Sequence, residues 1–193
     1  MTGPVNFDGY DAFGVLAAVE LVNTLAVTYP SGGPAAEPDS LAAIERVLQA
    51  DPPTAALLGE DDVPGFIALA RELHGVFRDL DVGDEDAAAA RLNDLLATHP
   101  AHPHLAKEDG RWRLHHHPVD AALVPMVTAI CAEAMARMIG AGEGPRLGTC
   151  DSDDCAQVFV DGSRNGSRRF CSTTCQNRVK AAAFRRRHAG GRR

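Results

Sequence analysis

Four of the five cysteines lie near the C-terminus, in two closely spaced pairs. Cys150 and Cys155 have four residues between them, Cys171 and Cys175 have three, and fifteen residues separate the pairs. Zinc takes four tetrahedral ligands, and two short pairs joined by a longer loop allow one chain to supply all of them. The spacing therefore predicts one zinc ion that holds two stretches of chain together.

Disulfides and unrelated free thiols are the alternatives to a zinc site. Disulfides persist in oxidising compartments, and residues 1–8 lack the basic segment and apolar run of a secretory signal peptide. We therefore expect a cytoplasmic protein, in which paired cysteines favour a metal. Four thiolates leave no open position for water, so a structural role is predicted for the zinc. The fifth cysteine, Cys131, is predicted to be a small core residue.

The residues between and after the cysteine pairs predict what the zinc would hold in place. Residues 158–161 are typical of a short strand, and residues 162–169 form a basic, turn-rich loop. Ser172 is a suitable helix N-cap, and residues 173–187 contain neither glycine nor proline. A basic loop followed by a basic helix is the expected arrangement.

This basic segment contrasts with an acidic remainder. From Cys150 onward ten Lys or Arg face four Asp, a net charge of +6, whereas the first 149 residues carry −13. Such a division is typical of an acidic domain with a basic nucleic-acid-binding tail. Asn177 is the candidate base contact, because an amide can pair bidentately with adenine. The candidate phosphate contacts are Arg164, Arg168, Arg169, Arg178, Lys180, Arg185, Arg186 and Arg187. If all eight met phosphates, the salt slope would be about −7.

The C-terminal segment resembles the CGNR zinc-finger family. The resemblance rests on Cys-x4-Cys, Asp-x-Ser-Arg-Asn-x-Ser-Arg-Arg, Phe-Cys-Ser and Cys-x-Asn-Arg-x-Lys, in that order, within residues 146–188. That family is bacterial, and its finger follows a helical ABATE domain named for stress-induced transcription regulation. Residues 13–140 resemble that domain more loosely, through Leu-Val-Asn-Thr-Leu at 21–25. Gln176 replaces the family's glycine after the last cysteine, which leaves the local geometry open.

The sequence predicts a mainly α fold: a helical bundle with one small β-hairpin, plus a small four-cysteine module with a terminal helix. The expected division is an ABATE-like domain over 1–144 and a zinc-finger domain over 145–193, joined by a flexible Gly/Pro hinge at 140–145. Apolar periodicity, capping residues and the Asp-Gly turn predict helices at 13–28, 41–49, 63–80, from 84, and 119–139, and a hairpin at 104–115.

Asn23 and Thr24 interrupt the otherwise apolar first helix. Buried polar groups need partners, so the favoured interpretation is a hydrogen bond to another helix. Alternatively, they line a small-molecule effector pocket together with Glu20 and Arg71. The sequence supplies no ligand identity.

Five of the eight histidines lie between His102 and His117. Alternate residues of a strand share a face, so His115 and His117 could converge, with His102 or His104 on the partner strand. A second metal site is one interpretation; adventitious metal binding is the one the sequence favours.

The predicted function is a zinc-dependent bacterial transcription regulator that binds DNA through the basic finger. A homodimer formed through the helical domain would supply a second half-site. The alternatives are binding of an acidic protein partner or of RNA by the same tail. No catalytic or phosphate-loop motif supports an enzyme, and no apolar run reaches the roughly 20 residues that span a bilayer.

Overall fold

The computed structural model describes residues 10–27, 40–108 and 110–189. The helices are α1 (Tyr10–Leu21), α2 (Ser40–Leu48), α3 (Pro52–Ala55), α4 (Val63–Asp81), α5 (Glu85–Thr98), α6 (Leu123–Gly140) and α7 (Thr173–Ala189). The strands are β1 (Pro103–Glu108), β2 (Arg111–His116), β3 (Leu147–Thr149) and β4 (Val158–Val160), paired antiparallel as β1–β2 and β3–β4. The mainly α fold class is confirmed.

The helical core is built around α1, α4 and α6. Large apolar side chains on α4, such as Phe66 and Phe77, are fully buried, and each contributes about 1.5–3 kcal/mol by leaving water. Helices α1 and α6 cross closely at Gly14: a Cβ there would lie 2.6 Å from the Cβ of Ala134 and 2.7 Å from the Ile130 carbonyl oxygen. This close approach explains a glycine inside a helix, where it otherwise costs about 0.5–1 kcal/mol.

Several element boundaries differ from the predicted ones. The first helix changes geometry after Leu21: Val22–Ala26 form a π-helical turn, closed by a 3.1 Å hydrogen bond from the N–H of Val27 to the carbonyl of Val22. Helix α6 begins at Leu123, four residues later than expected. Pro52 and Pro53 open the short α3 as well as ending α2, since proline suits the first turn of a helix.

The predicted Asp-Gly turn of the β1–β2 hairpin is confirmed at its glycine, because Gly110 has the positive φ of +78° that such a turn requires. Asp109 lies outside the described residues. The register pairs Leu105 with Leu114 and Lys107 with Trp112. The side chains of Leu105, Trp112 and Leu114 are exposed, so most of the hairpin stands away from the core.

Helix α6 is long and apolar enough to cross a membrane by length and composition alone. It is 61% buried inside the protein, between α1 and α5. Burial of this kind also characterises the central helix of a bundle, so the apolar composition is explained by packing.

Only the C-terminal end of the predicted hinge is packed, at Gly144, whereas residues 140–142 and Pro145 are exposed. Gly144–Arg146 form a 3-10 turn, and both Gly144 and Arg146 are buried. Leu147 of β3 and Val158 of β4 then join the apolar cluster of the helical domain. The sheet of the cysteine module therefore rests on the helices and shares their core.

A candidate zinc centre and basic helix

The four predicted ligands converge. Their sulfur atoms all lie within 4.8 Å of one another; Cys171 Sγ is 3.8 Å from Cys155 Sγ and 3.6 Å from Cys175 Sγ. A tetrahedral ion with bonds of about 2.3 Å requires sulfur–sulfur distances of about 3.8 Å. The cluster fits one structural zinc, and Cys150, Cys155, Cys171 and Cys175 are the residues that would hold it.

Backbone hydrogen bonds fix the turns that carry these thiols. The N–H of Cys150 donates to Gln157 (2.9 Å), and the N–H of Cys155 donates to Ser152 (2.8 Å). At the start of α7 the Ser172 hydroxyl accepts a 3.3 Å hydrogen bond from the N–H of Cys175, which confirms Ser172 as the N-cap. One ligand pair therefore lies on a turn and the other at a helix start.

The thiols need a cation to remain ionised together. Burial raises the pKa of Cys150, and burial likewise raises that of Cys171, where the neighbouring thiols of Cys175 and Cys150 add to the effect. A divalent ion reverses this preference because it binds thiolates. Zinc retention is accordingly expected to weaken as the pH falls.

Arg178, a predicted phosphate contact, is half-buried beside the zinc ligands. Its guanidinium donates a 2.7 Å hydrogen bond to the Ser152 hydroxyl and lies 3.7 Å from Cys175 Sγ. Zinc with four thiolates carries a net charge of about −2, which this guanidinium partly offsets. The side chain thus joins α7 to the first cysteine turn.

Arg168 is similarly engaged within the module. Its guanidinium lies 4.8 Å from the centre of the Phe159 ring and donates to the carbonyls of Val160 (3.2 Å), Phe170 (2.9 Å) and Cys171. These contacts hold the basic loop against β4 and the second ligand turn.

Asp161 anchors the start of the basic loop. It is 2% exposed, and its carboxylate accepts from the N–H groups of Ser163 (2.8 Å) and Arg168 (2.7 Å). Burial alone would raise its pKa, but these hydrogen bonds and the charge of Arg146 outweigh it, so the pKa is lowered. The Arg146 guanidinium also donates to the carbonyls of Asp161 (3.0 Å) and Ser163 (2.7 Å).

We expect Asp161→Asn to lower the free energy of unfolding by about 1.5–3 kcal/mol, the usual range for hydrogen bonds to a charged group. The loss should be measured by urea denaturation at neutral pH. Because the folded-state pKa is lowered, the carboxylate stabilises the protein above its unfolded-state pKa, near 3.8, and this contribution disappears as the pH falls through the lower folded value. Wild type and variant should converge in acid; a constant difference at all pH values contradicts the assignment.

The other predicted basic contacts face solvent. Arg164 is exposed in the loop, and Arg169 is exposed while paired with Asp151. Helix α7 contains no Asp or Glu, and its exposed side chains include Asn177, Lys180, Arg185, Arg186 and Arg187. Gln176 is also exposed, and its N–H makes an ordinary helical hydrogen bond to Ser172, so a side chain is accommodated at that position.

Asn23 joins the helical domain to the cysteine module. Its side-chain Nδ2 donates to the carbonyl of Val158 (2.9 Å), and its Oδ1 accepts from the N–H of Val158 (2.8 Å). Val158 lies on β4, whose other edge pairs with β3, so the side-chain amide takes the place of a further strand. The expected partner was another helix; the observed partner is the sheet of the module.

Glu20, Asn23 and Thr24 also line a cavity of about 370 Å³ between the π-turn and the module, where Gln157 and Arg168 form the opposite wall. Arg71, the fourth residue of the predicted effector pocket, is exposed on α4 and is not among the described lining residues. The structure therefore groups three of the four residues.

The fold and the site together define a helical protein that carries a four-cysteine zinc finger. Comparison with family models matches residues 17–142 to ABATE, described as "Putative stress-induced transcription regulator", and residues 146–188 to the CGNR zinc finger. The ABATE match covers most of the chain, so the protein belongs to the ABATE family and bears a CGNR zinc finger. No curated protein matched. Neither family description names an enzymatic activity.

Proposed function

We propose that this protein is a zinc-dependent transcription regulator that acts in the bacterial cytoplasm and binds DNA through α7 and the loop over 162–169. The observation that carries the proposal is the exposed basic surface of α7, on a helix without acidic residues. The zinc ligands hold the N-terminal end of that helix. The family descriptions, a transcription regulator and a zinc finger, support the same function.

The internal contacts divide the basic residues into two groups. Arg168 and Arg178 bind groups within the module, so we assign them to holding α7 and the loop in position. The phosphate contacts are assigned to the other exposed basic residues, and Arg169 joins them by exchanging Asp151 for a phosphate. These residues are Arg164, Arg169, Lys180, Arg185, Arg186 and Arg187.

Asn177 is the proposed base contact. It is exposed near the N-terminal end of α7, and residues there reach base edges when a recognition helix enters the major groove. Lys180 lies one turn further along the helix and is suited to the flanking phosphate. Loss of Asn177 should therefore alter sequence preference more than total affinity.

The helical domain is proposed to supply a second half-site by forming a homodimer, since one small finger binds specific DNA weakly. The cavity beside Asn23 is the proposed place for a small-molecule effector, because a ligand there would contact both the helical domain and the module. Light scattering and ligand-dependent thermal shifts would test these two roles separately.

DNA binding is tested by removing the exposed charges of α7. A variant with Lys180, Arg185, Arg186 and Arg187 each changed to Gln should lose most affinity for random duplex DNA at low salt. Each lost phosphate contact should reduce the slope of log K against log salt by about 1. Fluorescence anisotropy of the zinc-loaded protein over a series of salt concentrations measures both quantities.

The matched control removes the same number of charges elsewhere, with Arg46, Arg71, Arg78 and Arg111 each changed to Gln; all four are exposed outside the finger. The control should retain the salt slope. An equal loss in both variants would show an effect of net charge alone and contradict a DNA-binding face on α7. Tighter binding of single-stranded RNA or of an acidic peptide than of duplex DNA would instead assign α7 to that partner.

A further inference from the structure

Three imidazoles converge at the base of the β1–β2 hairpin, away from the cysteine cluster. The ring centres of His104, His115 and His117 lie 5.3–5.7 Å from one another. His115 Nδ1 is 3.3 Å from His117 Nε2. His104 and His115 are directly opposite in the strand register, and His117 follows two residues later on the same face.

The ring centres are spaced as imidazoles around a metal ion would be, but the nitrogens of all three rings are not yet within ligand distance of one another. Zinc–nitrogen bonds of about 2.0–2.1 Å at tetrahedral angles place two ligand nitrogens about 3.3–3.4 Å apart. The pair His115 Nδ1 and His117 Nε2 has this separation; without an ion it is a hydrogen bond in which His115 Nδ1–H donates to Nε2. The His104 ring stacks on His115 with an interplanar angle of 23°, so His104 must reorient to direct a nitrogen to the same point.

Backbone carbonyls select the tautomers that metal binding needs. His117 Nδ1 lies 2.8 Å from the carbonyl of Pro118, and His104 Nδ1 lies 3.1 Å from the carbonyl of His102. In each pair Nδ1–H is the donor, because a carbonyl oxygen only accepts. Nε2 of both rings therefore keeps its lone pair, the arrangement usual for metal-ligating histidines, and an ion would displace the His115 proton that His117 Nε2 accepts.

The three histidines differ in burial, and the adjacent His116 does not belong to the cluster. His117 is buried, while His104 and His115 are half-buried, so the cluster is partly exposed to solvent. His116 points to the opposite face and contacts Glu133 on α6 at 2.8 Å. Asp51 is close enough to act electrostatically on His117 and adds a negative charge nearby.

We propose that His104, His115 and His117 form a second metal site, specific for a divalent transition-metal ion such as zinc, nickel or cobalt. Imidazole ligands suit these ions, whereas Mg²⁺ and Ca²⁺ prefer oxygen. Three protein ligands leave a fourth position for water, so this ion exchanges with the solution more readily than one enclosed by four thiolates.

The test is a Co²⁺ titration of the full chain whose cysteine site is already loaded with zinc. We expect one further equivalent to bind, with visible d–d absorption but without the thiolate-to-metal charge-transfer band of sulfur ligands. Zinc analysis before and after shows whether the first site stays occupied. Absence of a further equivalent, or a thiolate band accompanied by zinc release, overturns the proposal.

Histidine variants locate the bound ion. His115→Ala and His104→Gln should each weaken Co²⁺ binding at least about tenfold, because each removes a ligand. His102→Ala is the matched control, since only its backbone carbonyl contacts the cluster. Equal weakening in the control means non-specific chelation by a histidine-rich segment and overturns the site. Circular dichroism and retained zinc verify that each variant is folded.

Discussion

Replacement of Cys171 by serine is expected to abolish stoichiometric zinc binding and to unfold residues 150–187. The Cys171 sulfur lies close to the sulfurs of Cys155 and Cys175, so its removal leaves the ion without a complete thiolate set. Structural zinc contributes an apparent binding free energy of about 10–16 kcal/mol at pH 7, which in such modules is folding free energy. The described part of α7 has few buried side chains that could compensate.

Metal analysis and amide hydrogen exchange measure this outcome in the full chain. The helical domain should remain folded, because most of its core lies in α1, α4 and α6. Cys131→Ala is the control, since Cys131 is buried in α6 and should leave the zinc content unchanged. If Cys171→Ser keeps one zinc and a protected α7, four-thiolate ligation is wrong.

Features that depend only on residues close together in the chain could be predicted from the sequence. The cysteine spacing predicts the ligands, because each pair closes over a short turn. The apolar stripe of α4 and the predicted helix start near Asp84, whose carboxylate accepts a 2.9 Å hydrogen bond from the N–H of Ala87, are equally local. The structure confirms these elements closely.

Interactions between segments that lie far apart in the chain could not be predicted from the sequence. The pairing of β3 with β4 joins two three-residue strands, each too short for a periodic pattern. Arg168 and Arg178 have the same residue type as the arginines assigned to phosphates, and only the fold shows that they bind carbonyls and a hydroxyl of the module. Asn23 signals that a polar partner is needed, but the sequence does not identify a partner 135 residues away.

Asn23→Leu is expected to lower the free energy of unfolding by about 2–6 kcal/mol. The substitution leaves the N–H and the carbonyl of Val158 unpaired, and each unpaired group costs about 1–3 kcal/mol. Only an amide side chain of this length offers both a donor and an acceptor to Val158. Asn23→Asp separates the two bonds: it retains an acceptor for the N–H and loses the donor to the carbonyl.

Urea denaturation gives the stability difference, and amide exchange at Val158 reports the bond directly, since that N–H donates to Asn23. Exchange at Val158 should accelerate strongly in Asn23→Leu and less in Asn23→Asp, while Thr24→Ala, on the same π-turn, should leave it slow. If Val158 stays protected in Asn23→Leu, the shared apolar core alone holds the module on the helical domain. If protection is lost while zinc is retained, the Asn23 amide is the link through which the helical domain positions the finger.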